Sequence, residues 1–331
     1  MKMRLKYGTL SATWLVLVAI CGILTFGGCN KRPYTRIKQL PLKVIPEWSE
    51  VPEGAELPTT LEFYLYREDG TMMGKYAIPR DGGFVGNEQM VFSVGVYHMI
   101  LVNQNDYVEV LKPETFATAQ ISAKKASAAY LQQNNFSKAD GVEVVYQPGW
   151  IFSSSLENVN LNGIVIVEDD ASCIEVKMPM KRQVKVVNFK INLTGLTDQV
   201  KSMRGLLGNV ASGVDLSTGQ IVGGMQCASP FELTDISGNK TTWSGNMLIF
   251  GNQAEIDAAL RNKLQLYFDT DTESGRTLIH EEDITEQLKN GAMEDDLNIK
   301  VEADIEVKAN AGFLTVIVKW KDGKGEDVDG I

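Results

Sequence analysis

The chain has 331 residues and a formal net charge of −10, from 32 Lys+Arg against 42 Asp+Glu. That balance disfavours nucleic acid as a partner, because binding phosphate needs a basic face. With 44% apolar residues and this length, two domains, each burying its own core, are the natural expectation.

The N-terminus reads as an export signal. Lys2, Arg4 and Lys6 precede an apolar run from Trp14 to Phe26, broken by Gly22 and Thr25, and Phe26-Gly27-Gly28-Cys29 follows. A basic start, an apolar middle and small residues before the cut are the order of a secretory signal. A cysteine directly after the small pair marks a lipoprotein, cleaved before Cys29. Its thiol takes a diacylglycerol, and its freed amine can take a further chain such as palmitate. A transmembrane helix needs about 20 apolar residues; this run is shorter, and charge resumes at Lys31 and Arg32. An ordinary signal peptide and an uncleaved anchor are the alternatives. Removing residues 1–28 takes away three positive charges, leaving 303 residues (331 less 28) with a net charge of −13 (−10 less 3). Of the four cysteines, Cys21 leaves with the signal and Cys29 carries lipid. Cys173 and Cys227 remain, either paired in an oxidising periplasm or buried as free thiols.

After Cys29, a short tether of basic residues (Lys31, Arg32, Arg36, Lys38) leads into Leu40-Pro41-Leu42. Pro46, Pro52 and Pro58 argue against helix over Glu47 to Thr59. Leu61, Phe63 and Leu65 alternate with Glu62, Tyr64 and Tyr66, the period of a half-buried strand. Asp69-Gly70 signals a hairpin and Asp81-Gly82-Gly83 another turn. Met90 to Val102 reads as one long strand. Ala117 to Tyr130 is the most helix-like stretch of this half, taken as an insertion or loop. Val142 to Tyr146 is a short strand, and the polar run Ser153-Ser154-Ser155 to Asn162 a connection. Gly163 to Glu168 and Cys173 to Met178 are short strands around Asp169-Asp170, before a boundary at Pro179. Further strands are expected at Gln183 to Leu193, Phe231 to Ile236, Thr241 to Phe250, Lys263 to Asp269, Leu297 to Val307 and Phe313 to Trp320. Short helices are expected at Asp198 to Arg204 and Asp283 to Lys289, the second capped by Thr285 or Asp283. Short strands with frequent turn signals give an all-β chain of two tandem β-sandwich domains, 29–178 and 179–331.

Signatures of catalysis are absent. There is no Gly-x-Ser-x-Gly elbow, no phosphate-binding Gly-x-x-x-x-Gly-Lys loop and no His-Glu-x-x-His. With only His98 and His280 and no Cys-x-x-Cys, a zinc site is disfavoured. No enzyme activity and no cofactor are expected. The sharpest metal candidate is calcium at Asp269, Asp271 and Glu273, where alternate acids can aim oxygens at one ion. The match to an EF-hand loop fails at Ser274 and His280, its sixth and twelfth positions, and the plainer reading is an acidic turn. Trp48, Trp150, Trp243 and Trp320 are scattered; Trp320, inside a strand, reads as core or interface.

In this order, several runs resemble the Bacteroides-type FimB/Mfa-like fimbrial anchor lipoproteins, relatives of the fimbrillins. In the first half these are Glu62 to Gly70 (EFYLYREDG) and Val94 to Asn103 (VGVYHMILVN). In the second half they are Val187 to Leu196 (VNFKINLTGL), Leu206 to Gly219 (LLGNVASGVDLSTG), Leu248 to Gly251 (LIFG), Asn262 to Phe268 (NKLQLYF), Asp283 to Gln287 (DITEQ) and Phe313 to Trp320 (FLTVIVKW). The resemblance implies two transthyretin-like sandwiches with short helices, lipid attachment to the outer membrane and a place at the base of a pilus. It implies pilin or fimbrillin-type subunits as partners, bound by strand addition. Only Cys29 carries over as a functional residue. Asn30-Lys31-Arg32 stands where surface-exported members often carry acids, so the periplasmic and surface faces both stay open. The alternative function is a surface lipoprotein that binds glycan or another ligand.

Overall fold

The computed structural model describes residues 39–49, 51–52, 54–134, 136, 142–161, 166–168, 171–270, 277–290, 297–310, 313–321 and 327–328. Cys29, its leader and the Asp169-Asp170 turn lie outside them. The chain is all-β, as expected.

The first sandwich begins with β1 (Gln39–Glu47), β2 (Thr60–Arg67), β3 (Met72–Pro79), β4 (Gly83–Phe84), β5 (Val91–Ser93) and β6 (Val96–Val102). It continues after β7 (Val108–Leu111), β8 (Gln120–Ala123), helix α1 (Ala128–Gln133) and β9 (Glu143–Val144) with β10 (Phe152–Asn160), β11 (Ile166–Glu168), β12 (Ala171–Pro179) and β13 (Lys181–Arg182). One sheet runs β11-β12-β1-β4, with β5 also on β1; the other runs β13-β10-β6-β2-β3. Leu42, Val44, Ile174 and Val176 of the first meet Leu61, Phe63, Leu65, Met99 and Phe152 of the second in one core.

Three expectations change here. Leu40-Pro41-Leu42, given no strand by its sequence, lies at the start of β1, with Leu40 and Leu42 buried. Its prolines fall where a neighbour is missing. The parallel ladder with β12 begins only at Leu42, and β4 reaches only Lys43 and Val44, short of Pro46. The Met90–Val102 run breaks at Val94-Gly95, because β5 pairs with β1 in one sheet and β6 with β2 in the other. The serines expected in a connection lie inside β10, where Ser153 and Ser154 are buried opposite Val102 and Leu101. The hairpin at Asp69-Gly70 is as read: Gly70 has φ +80°, and the Asp69 carboxylate accepts from the Thr71 N–H at 2.9 Å.

β2 is covered on both faces, not half-buried. Tyr64 and Tyr66 join Ile100, Val102 and Phe116 in a second, larger core that runs on into the other half of the chain. Tyr64 keeps its hydroxyl satisfied by donating to the Glu62 carboxylate at 2.6 Å.

The second half holds β14 (Lys185–Gly195), β15 (Val200–Val210), β16 (Gly213–Asp215), β17 (Cys227–Asp235), β18 (Thr242–Ile249), β19 (Lys263–Thr270), β20 (Thr277–Asp283), helix α2 (Thr285–Asn290), β21 (Asn298–Asn310), β22 (Phe313–Lys321) and β23 (Asp327–Val328). The order is β20-β19-β15-β17-β18-β14-β21-β22-β23, with β9 also on β17. This sheet turns a corner between β17 and β18, which pair only at Thr234–Ser244 and Asp235–Trp243. Its two halves then close on a shared core, in which Phe189 of β14 stacks on Phe231 of β17 with centroids 4.2 Å apart. A Cβ on Gly205 would lie 2.2 Å from the Phe231 ring, so glycine is required there.

The helix expected at Asp198–Arg204 is a single 3₁₀ turn, Thr197–Gln199, followed by β15. A register shift between Val200 and Ser202 breaks the alternation that would have announced the strand. α2 forms where expected, and the Asp283 carboxylate accepts from the Thr285 N–H at 3.0 Å. The stretch read as insertion or loop, Ala117 to Tyr130, instead supplies β8, which pairs with β7 and with β16 of the other half.

Gln147 stitches the corner. Its Nε2 donates to the Pro230 carbonyl at 2.8 Å and its Oε1 accepts from the Leu248 N–H at 3.0 Å, joining strands that have parted. Gln147→Ala leaves both backbone groups without their partner and is expected to cost about 1–3 kcal/mol in urea unfolding.

Candidate subunit-docking edge

The side chains singled out by sequence are mostly engaged in structure. Cys173 and Cys227 form no disulfide; both are free thiols. Cys227 is fully buried on β17, and that burial, with Glu143 nearby, pushes its thiol up to about 11. It remains protonated and unreactive at neutral pH. Asp269 is the penultimate residue of β19, where its carboxylate accepts from Ser202 Oγ and Thr277 Oγ1, both at 2.7 Å, and pairs with Arg204. Burial pulls its pKa up, but these hydrogen bonds and the Arg204 charge win and hold it below the usual range. Asp269 is therefore part of an ion-pair network. Asp271 and Glu273 lie outside the described residues, which hold no group of three or more potential metal ligands.

His98 is a core histidine: its ring stacks on Phe116, Nε2–H donates to the Glu68 carbonyl and Nδ1 accepts from the Asn158 N–H. Trp243 and Trp320 are buried, and Trp48 and Trp150 pack against Phe152. None of the described helices is long and apolar enough to cross a membrane.

What remains is the sheet margins. An unpaired strand edge presents free N–H and C=O groups and binds any extended chain unless it is short, charged or covered. β4, β5 and β13 are two or three residues long. β3 carries Lys75, held to Glu62 at 2.6 Å, and ends in Pro79. β20 carries Glu281, Glu282 and Asp283.

Over Phe313 to Val318, β22 has none of these guards; its charges, Lys319 and Lys321, sit at its far end, where β23 also pairs. Its sequence is Phe-Leu-Thr-Val-Ile-Val-Lys-Trp-Lys, without proline, glycine or acid. β21 pairs with it along its whole length on one side. On the other, β23 meets only Trp320 and Lys321, so Phe313 to Lys319 have no second partner among the described residues. Leu314, Val316 and Val318 turn inward yet are only partly buried, while Ile317 is 46% exposed on the outer face. β20, the opposite margin of the same sheet, comes near β22 without a ladder between them, and carries Ile279 at 54% exposed. β22 and β20 thus bound an incomplete seam. Sequence located the strand but not its openness, for which its long uncharged apolar run is the only signal.

A family model described as Domain of unknown function (DUF5119) matches residues 28–232. No curated protein matches the sequence. At least three solved structures share the fold. One is an adhesin candidate of Bacteroides ovatus, with a TM-score of 0.55 and 14% identity over 91% of this chain and 98% of that one. Another is the fimbrial anchor protein Mfa2 of Porphyromonas gingivalis, with a TM-score of 0.52 and 11% identity over 89% and 100%. A third, also an adhesin candidate of Bacteroides ovatus, gives 0.51 and 8% over 86% and 96%. At these identities the likeness is one of fold.

Proposed function

The chain belongs to the family described as Domain of unknown function (DUF5119), and from that membership and its fold we propose a lipid-anchored anchor or accessory subunit of an outer-membrane pilus. It would hold a neighbouring pilin-type subunit by a strand laid along β22, in the seam beside β20. The observation that carries this reading is the uncharged, unpaired edge Phe313–Val318 with its half-covered inner residues. An added strand would satisfy that edge's free backbone groups, each hydrogen bond contributing about 0.5–1.5 kcal/mol net, and would cover Leu314, Val316 and Val318. The basic, apolar and glycine run before Cys29 supports lipid attachment there, and the role is mechanical rather than catalytic. Two domains, 29–178 and 179–331, are part of the same proposal.

The direct test is recovery of partner subunits from native membranes after crosslinking. The double variant Thr315→Lys/Ile317→Lys places charge along the outer face of β22. It is expected to change stability by no more than about 1 kcal/mol and to reduce partner recovery at least tenfold. Undiminished recovery would overturn the docking edge. Cys29→Ala is expected to release the protein from membranes and abolish fatty-acid labelling; label still attached would refute the lipid anchor.

A further inference from the structure

We propose that the wedge where β17 and β18 part is a binding site for a neutral, hydroxyl-rich saccharide. The wedge exists because the two strands pair at only two positions before β17 departs with one half of the sheet and β18 with the other. It is a notch of about 590 Å³ on the outer face of the sheet, within the size range of small-molecule sites. Pro230, Phe231 and Gly245 are among the residues that line it. Gly245 lets β17 and β18 approach closely here, since a Cβ there would sit 2.2 Å from the Glu232 carbonyl oxygen.

The walls carry unused hydrogen-bonding groups. Asn188 of β14 stands directly across from Asn246 of β18. Side chains on paired strands at such positions lie about 5 Å apart and point the same way, so two amides face outward as a pair. Ser244 continues the row on β18, and Glu232 and Thr234 face it from β17. Among the described residues, none of these five side chains has a hydrogen-bond or ion-pair partner in the protein. Gln147, by contrast, is already tied to Pro230 and Leu248. Gln147 is therefore engaged within the protein, while the five other polar side chains stay open to a ligand. Tyr130 of α1 also lines the notch and packs edge-on against Tyr146, which in turn meets the half-exposed Tyr107.

The chemistry selects the ligand class. Two amides, two hydroxyls and a carboxylate offer donors and acceptors at short spacing, the pattern that adjacent sugar hydroxyls match. An aromatic wall suits the apolar C–H face of a pyranose. No lysine or arginine lines the notch itself, Lys190 standing beside it across from Ser244, and Glu232 adds negative charge, so the lining favours neutral over phosphorylated, sulfated or acidic sugars. This site is independent of the β22 edge.

The test uses the whole exported chain on an array of neutral, sialylated and sulfated oligosaccharides, followed by titration calorimetry with the best neutral probe. Binding to neutral members is expected. Asn188→Ala/Asn246→Ala and, separately, Glu232→Gln should each weaken it at least tenfold, with midpoints of thermal unfolding unchanged within about 2 °C. Thr315→Lys/Ile317→Lys should leave it unchanged, which separates this site from subunit docking. No binding to neutral members, a preference for acidic ones, or full binding by the folded double asparagine variant would overturn the proposal.

Discussion

Phe189→Ala is expected to destabilise the protein by about 3–5 kcal/mol. Phe189 is 1% exposed and stacks on Phe231 across the two halves of the second sheet. Truncating it removes a buried ring and opens a cavity. That cavity cannot readily collapse, because Gly205 already lies against the other ring and fixes Phe231 in place. Loss of the ring pair adds about 0.5–1.5 kcal/mol to the burial term. Phe189→Leu keeps most of the volume and should cost less than the alanine variant. Urea unfolding of the two variants measures this. A loss below about 1 kcal/mol for the alanine variant would mean that the halves are not held together through this contact.

Asp269→Ala is expected to cost about 2–4 kcal/mol, the range for breaking a buried ion pair reduced for partial solvation. The Arg204 side chain is 11% exposed and that of Asp269 28%. The guanidinium lies over the rings of Phe136 and Tyr267, 5.7 and 5.2 Å from their centroids, and its Nε and Nη2 have no acceptor. Removing Asp269 strands that charge and frees Thr277, the first residue of β20, from its hydrogen bond. The effect therefore reaches the margin of the proposed docking seam. The pH dependence follows from the lowered carboxyl pKa. A carboxylate depressed by folding contributes fully above its unfolded value of about 3.9 and loses that contribution as pH falls through the lower folded value. Wild type should thus lose stability below about pH 4 more steeply than Asp269→Ala. Parallel acid limbs in urea titrations would show that the ion pair contributes nothing.

Much of the architecture was legible. Runs such as Gln183–Leu193 and Lys263–Asp269 alternate cleanly, and their strands stand within two residues of those bounds. The failures have physical causes. β1 was hidden by prolines whose missing donors matter only if a neighbour is present, a fact of topology. β10 was hidden because serine carries no strand preference, and β15 because a bulge interrupts its period. Tyrosines read as the wet face of β2 are buried because a second layer arrives from far along the chain. The same cause governs the sites. Whether β22 has a neighbour on its far side is not encoded in β22, and Asn188, Glu232 and Asn246 meet only through the fold.

In the proposed anchor, the parallel pairing of β1 with β12 would set how the chain bears load. Leu42 to Glu47 run beside Ile174 to Pro179 in the same direction. A force entering the chain at Gln39 and leaving it beyond Pro179 pulls on opposite ends of that pair. The strands must slide past one another, and all their hydrogen bonds resist at once. A hairpin such as β2–β3, pulled from its open end, gives way one rung at a time. The longer parallel pair of β14 with β21, Val186–Gly195 beside Asn298–Val307, repeats the arrangement in the second sandwich. A protein tethered at one end and tugged at the other is thereby loaded in shear, the geometry in which a sheet ruptures last.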